Sequence, residues 1–148
     1  MYEGDFVNDK KEGNGKFIWK NGQYYIGDWK NNKKNGKGKD YFSNGNILYE
    51  GDYINGKWDG NGKLILNIGD YYTGQFKNGK RNGKGIVYYK NGNIMYEGDF
   101  INGKFEGNGK YIWKNGQYYI GQFKNGKRNG KGIIYYKNGN IKCSTNID

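Results

Sequence analysis

The sequence contains no histidine, no proline and a single cysteine, Cys143. Without histidine the chain lacks the side chain that most often moves protons at neutral pH. Cys143 has no imidazole to activate it as a nucleophile, and no cluster of cysteine and histidine is present to hold zinc. One cysteine also rules out an intrachain disulfide framework and points weakly to a reducing compartment. No stretch approaches the roughly 20 apolar residues that span a bilayer as a helix. The N-terminus has no apolar signal-peptide core. Only 34% of the 148 residues are hydrophobic, too few for a thick aliphatic core. These absences lead to the expectation of a soluble cytoplasmic protein without catalysis, cofactor or metal, peripheral at most to a membrane or to the cytoskeleton.

What is abundant is glycine, 28 residues, and aromatics, 18% of the chain and led by 16 tyrosines. Low aliphatic content alone would suggest disorder, but each aromatic carries a large apolar area to bury. Rings packed against glycines suit a thin structure. The net charge of +11 draws the surface toward anionic partners such as lipid headgroups, nucleic acid or acidic proteins. The same Lys- and Asn-rich surface also serves plain solubility.

The chain is internally repetitive. The pattern Tyr-x-Gly-(Asp/Gln)-aromatic starts at Tyr2, Tyr25, Tyr49, Tyr72, Tyr96 and Tyr119, at spacings of 23 or 24. Each copy runs on into a Gly-x-Gly pair, from Gly13 and Gly15 to Gly130 and Gly132. A second period of 47 overlies the first: residues 72–94 and 119–141 differ at two positions. Two unlike repeats, A then B, therefore form the unit. The expected repeats are approximately 2–24, 25–48, 49–71, 72–95, 96–118 and 119–142, with 143–148 the degenerate or truncated start of another.

Glycine every few residues opposes helix, and no apolar stripe of helical period appears. Period-two alternation does appear. Tyr96, Gly98 and Phe100 share one strand face, and Gly107, Gly109, Tyr111 and Trp113 share another. Asn-Gly pairs such as Asn102-Gly103 and Asn115-Gly116 separate the runs, a strong hairpin signal. The predicted fold is all-β: an elongated single-layer antiparallel meander of six β-hairpin repeats with twelve short strands. At about 4.8 Å between strands it would extend for roughly 55–60 Å. Rings lying over glycine rows stabilise such a sheet. Its open ends invite self-association.

The runs YEGDF, YIGQFKNGKRNGKG and GNGK, recurring over nearly the whole chain, resemble the MORN (membrane occupation and recognition nexus) repeat. That resemblance implies an elongated antiparallel sheet of hairpins and a binding activity, toward proteins and, as often proposed, phospholipids. The family occurs in junctophilins, beside lipid-kinase and methyltransferase domains, and in cytoskeletal scaffolds. This sequence departs from the pattern at Asn67-Ile68-Gly69, where other copies have Asn-Gly, and at Cys143.

The recurrent carboxylates Asp5, Asp28, Asp52 and Asp99 are replaced by Gln75 and Gln122 in two copies. Ionisation there is dispensable, which marks a structural role. Two candidate binding surfaces follow. Tyr25, Trp29, Tyr49, Tyr53, Tyr72, Phe76, Tyr96, Phe100, Tyr119 and Phe123 form aromatic rows that either pack on glycine or line a shallow partner groove. The basic loops of the B repeats, with Lys33, Lys34, Lys80, Arg81, Lys127 and Arg128, form a candidate site for anions or lipid headgroups. The leading function is a protein-interaction scaffold. The alternatives are peripheral binding of anionic phospholipid and a glycan-binding surface repeat; no specific nucleic acid is expected.

Overall fold

The computed structural model describes the backbone of residues 1–148 and every side chain except that of Asn67. It is a single antiparallel sheet in which strand order equals chain order. The strands are β1 (Tyr2–Val7), β2 (Lys10–Ile18), β3 (Tyr24–Lys30), β4 (Lys33–Tyr41), β5 (Ile47–Ile54), β6 (Lys57–Ile65), β7 (Tyr71–Lys77), β8 (Lys80–Tyr88), β9 (Ile94–Ile101), β10 (Lys104–Ile112), β11 (Tyr118–Lys124), β12 (Lys127–Tyr135) and β13 (Ile141–Ile147). One short 3-10 turn, Asn67–Gly69, is the only helical segment among the described residues. The thirteenth strand adds one to the twelve expected: it pairs with β12 and sets Cys143 opposite Ile134. The chain divides into two compact units, Met1–Leu66 with Phe76–Lys80, and Asn67–Gln75 with Arg81–Asp148.

The hairpins use two kinds of turn. Inside each repeat the turn has two residues, both left-handed, as in Asn78 (φ 50°) and Gly79 (φ 83°). That is the type I′ geometry whose twist matches the flanking strands. Between repeats the turn is longer. In Trp113–Gln117, the Gly116 N–H donates to the Trp113 carbonyl and the Trp113 N–H to the Gln117 carbonyl, both at 2.9 Å.

Within the first unit a row of facing glycines crosses the sheet: Gly4, Gly15, Gly27, Gly38, Gly51 and Gly62. In the second unit Gly85, Gly98, Gly109, Gly121 and Gly132 form the same row. The leading tyrosine of each repeat lies across its own pair of row glycines. A Cβ on Gly109 would stand 2.6 Å from Tyr96 Oη. The hydroxyl donates three residues along its own strand, from Tyr96 to the Asp99 carbonyl at 2.9 Å and from Tyr72 to that of Gln75 at 2.7 Å. Burial pushes the Tyr25, Tyr49 and Tyr96 phenols up, helped by the Asp28, Asp52 and Asp99 carboxylates, and raises Tyr72 to about 12.

The repeated carboxylate is structural. Asp28 Oδ2 accepts the Lys37 N–H at 2.9 Å, and Gln75 Oε1 accepts the equivalent Lys84 N–H at 3.0 Å. These bonds span the residue between the paired glycines, beside a register shift in the hairpin. An amide accepts this bond as well as a carboxylate does.

Stacking along the sheet is edge-to-face. Tyr25 meets Trp29 at 5.2 Å and Tyr53 at 5.1 Å between centroids, and Tyr49 meets Tyr53 and Phe76. In the second unit Phe100 lies between Tyr72 and Tyr96, and Phe123 between Tyr96 and Tyr119. Such pairs add about 0.5–1.5 kcal/mol each beyond area burial.

A and B repeats are joined unequally. The Asn31, Asn78 and Asn125 N–H groups at the B turns donate to the A-repeat carboxylates of Glu12, Asp59 and Glu106. The A turns that follow donate instead to neutral amides, Asn55 to Asn35 and Asn102 to Asn82. An acid clamps A to B and an amide clamps B to A, which accounts for the doubled period.

Candidate functional site

The ten aromatics offered as a partner groove are the core itself: they are 0–7% exposed. Their faces are covered by glycine rows, by one another and by the second strand of each hairpin. A solvent-facing groove made of those rings is therefore corrected to a buried aromatic row. What reaches solvent on the same sheet face is the layer carried by the second strands.

That layer begins two residues before each bulge glycine. In the first unit Lys11 and Lys34 stand there, and in the second Arg81 and Arg128. Each points inward over tyrosine. Lys34 Nζ lies 4.8 Å from the Tyr25 centroid and 4.6 Å from that of Trp19, and Arg81 lies 5.7 Å from Tyr72. Arg128 lies 5.5 Å from Trp113 and 5.6 Å from Tyr119. In the second and third A repeats an aromatic takes the position: Trp58 stacks on Tyr49 at 4.7 Å and Phe105 on Tyr96 at 3.8 Å. Cation and ring cover the same tyrosine face, exploiting its negative quadrupole or its flatness.

The six candidate anion residues thus separate into two sets. Lys33, Lys80 and Lys127 are exposed at the I′ turns, while Lys34, Arg81 and Arg128 are half-buried over rings. Lys34 is committed to Asp40 at 2.8 Å, and the Arg81 Nη2 donates to the Gly103 carbonyl at 2.7 Å. Burial pushes the Arg81 guanidinium down from its ordinary value. The inward set was legible: counting back two from Gly36, Gly83 and Gly130 reaches it.

Asp40 is a hub that the sequence reading missed. Its carboxylate accepts from Tyr53 Oη at 2.7 Å, Trp58 Nε1 at 3.0 Å and Lys34 Nζ at 2.8 Å. The desolvated Tyr53 phenol beside Asp40 is held far above its ordinary range. A visible signal existed. Asp40 is the one acid in a column otherwise made of Phe17, Leu64, Val87, Tyr111 and Ile134.

The second overlooked region is the edge formed by the turns between repeats. In the second unit a 690 Å³ cleft opens there. Tyr89, Ile94, Ile112 and Trp113 line it, and Lys90, Lys114 and Lys137 rim it. Tyr89 Oη donates to the Ile112 carbonyl at 2.6 Å across its floor. Desolvation, with the neighbouring Tyr111 hydroxyl, raises the Tyr89 phenol to about 12. An adjoining 790 Å³ groove takes in Tyr111, Arg128 and Ile134 on the sheet face. In the first unit the counterpart of that groove is a 250 Å³ recess with Lys34, Asp40 and Trp19 among its walls, and a 570 Å³ hollow lies at its first turn between repeats, beside Met1, Phe17 and Trp19. The signal for this edge was the recurrence of aromatic-Lys-Asn-Gly at Trp19, Tyr89, Trp113 and Tyr136.

Among the described residues no group of three or more acids or cysteines could hold a metal ion, and no helix is long and apolar enough to cross a membrane. Comparison with known families matches the MORN repeat in six segments, residues 2–24, 25–47, 49–71, 72–94, 96–118 and 119–141. No curated protein matches the chain.

Proposed function

The chain belongs to the MORN repeat family, a family of non-enzymatic repeats often involved in binding, and from that premise we propose that it is a protein-interaction scaffold. One observation carries the reading. The second unit presents adjoining clefts of 690 and 790 Å³ whose walls include the half-buried rings Tyr89 and Trp113. These volumes lie in the range of ligand sites, and aromatic anchors beside cations dominate interface energetics. The scaffold works by holding a rigid sheet, fixed by its buried rings, under a partner-facing layer of second-strand and turn residues. Capture of a partner from lysate of the source cell tests it. Trp113→Ala and Tyr89→Ala should each lower capture by about tenfold, the usual scale of an interface hot spot. Unchanged capture by both variants would refute the reading.

A second reading has its own observation. At the B turns two exposed lysines face each other across the hairpin, Lys30 with Lys33 and Lys124 with Lys127. None of these four meets a carboxylate within ion-pair distance. Each is worth about 1 kcal/mol beside an anionic bilayer. Co-sedimentation with phosphatidylserine vesicles, lost when Lys33, Lys80 and Lys127 become Glu, would support a peripheral membrane contact.

A further inference from the structure

The turn at 66–70 breaks the pattern of every other turn between repeats. Elsewhere an asparagine occupies the third position, as Asn21, Asn44, Asn91, Asn115 and Asn138. Its side chain accepts the N–H two residues on at 2.9–3.0 Å. Here Ile68 stands instead. It cannot make that bond, and it sits in the left-handed region (φ 58°, ψ 18°) with 84% of its surface exposed. A β-branched residue in that conformation is strained, and its apolar surface gains nothing from solvent. Strain and exposure together, at the rim of the 690 Å³ cleft, suggest a role outside folding.

The cleft has a structural origin. The aliphatic stem of Lys90 packs on Gly69 and that of Lys137 on Gly116, so the turns of the second unit close up in pairs. Gly92 has nothing within 4 Å of the position its Cβ would take. The gap between the 89–93 and 113–117 turns is therefore left open. Its floor is apolar, and its rim carries the ammonium groups of Lys90, Lys114 and Lys137. None of these is ion-paired. The one acid in the lining, Asp70, already accepts the Lys90 backbone N–H at 2.9 Å. The indole N–H of Trp113 has no acceptor among the described residues.

We infer that this cleft binds an acidic segment of a partner protein. An apolar side chain of the segment seats against Ile68, Ile94 and Trp113, and flanking carboxylates meet Lys90, Lys114 and Lys137. The inference rests on the protein-interaction reading above and names its partner chemistry. Charge complementarity selects an anionic occupant. The recessed apolar floor selects a peptide over a bilayer, which would meet the projecting lysines of the opposite, I′ edge first.

Calorimetric titration of the full chain tests the inference. The probe is a synthetic peptide of about ten residues, with a Leu-Phe pair between glutamates, long enough to lie extended in a groove. The expected result is saturable binding that the same peptide with lysines in place of glutamates does not show. Lys90→Glu with Lys114→Glu should weaken it by about tenfold or more, as expected for reversing two rim charges. Ile68→Asn restores the turn pattern, so it should raise Tm while weakening the peptide by about fivefold, the scale of a lost apolar contact. Lys124→Glu with Lys127→Glu, at the I′ turn of the same unit and outside the cleft lining, should leave affinity unchanged.

Equal loss in the I′-turn variant would overturn the inference, as would Ile68→Asn binding within about twofold of the parent, too little for a lost anchor. So would phosphatidylserine vesicles that bind through Lys90 and Lys114 while the peptide does not. If the peptide fails but partner capture is still lost in Trp113→Ala, the scaffold reading stands and this inference alone falls.

Discussion

The two units solve one packing problem with different chemistry. In the first, Lys34, Asp40, Tyr53 and Trp58 form a hydrogen-bonded quartet around one carboxylate. In the second, the matching positions hold Arg81, Val87, Phe100 and Phe105. There Val87 is 2% exposed, Phe100 packs on Phe105 at 5.5 Å between centroids, and Arg81 finds a backbone carbonyl in place of an acid. The frame beneath is the same: tyrosine across glycines, a cation or ring over the tyrosine. The layer above it is exchangeable only as a set, because a polar group left behind in either unit loses its partner.

The largest expected effect breaks the quartet. Asp40→Val should destabilise the first unit by about 3–5 kcal/mol in urea unfolding, because it strands a mostly buried ammonium, a phenol and an indole N–H. Adding Lys34→Arg, Tyr53→Phe and Trp58→Phe, the second unit's own residues, should return most of that loss. If the fourfold variant is no more stable than Asp40→Val, the units are not interchangeable in the way described.

Next come the glycines that both units share. Gly38→Ala and Gly109→Ala each drive a methyl into a tyrosine ring and should cost about 3 kcal/mol, the upper range of overpacking. Gly79→Ala has open space, with nothing within 4 Å, but needs φ +83°. It should cost about 1 kcal/mol through backbone strain alone. Equal costs at all three sites would show that ring contact is not what the row glycines provide.

Alkaline titration probes the second unit through its phenols. Tyr72 and Tyr89 are raised to about 12 from an ordinary value of 10.0. A raised folded value contributes stability that is complete below pH 10.0 and is lost as pH climbs toward 12. Phenolate absorbance should therefore lag behind that of free tyrosine and then rise together with unfolding. At the acid end, burial opposes ionisation of Asp52, but Lys37 and the Asn61 N–H outweigh it and lower its value from 3.8. Its contribution is present above 3.8 and fades as pH falls through the lowered value, a smaller change because the pair is partly exposed.

Much of this was legible in the sequence. The repeat frame, the hairpins, the I′ turns and the structural role of the repeated carboxylate follow from Tyr-x-Gly spacing, Asn-Gly pairs and the Asp/Gln exchange. Asp40 was visible as the one acid in its column, but two things were not legible locally. Whether the aromatic rows packed or faced a partner depends on what covers them, and that cover comes from positions such as Trp58 and Phe105, which local alternation places on the right face without saying how far they reach. The cleft depends on the lysines of one turn closing over the glycine of the turn before it, a contact between turns that neither segment announces alone. Ile68 did announce itself as a departure, but only its conformation and exposure give the departure a meaning.

The central claim is that the aromatic rows hold the sheet while the layer above and beside them binds. Phe123→Ala and Trp113→Ala, measured in parallel for urea stability and partner capture, test it most directly. Phe123, 5% exposed, should cost about 3–5 kcal/mol, as for a ring deleted from a core. Trp113→Ala should cost less than about half of that, because its indole is only half-buried, and should remove capture from a folded protein. A stable Phe123→Ala variant that loses capture, beside a Trp113→Ala variant that keeps it, would place the binding surface on the rows and contradict the account.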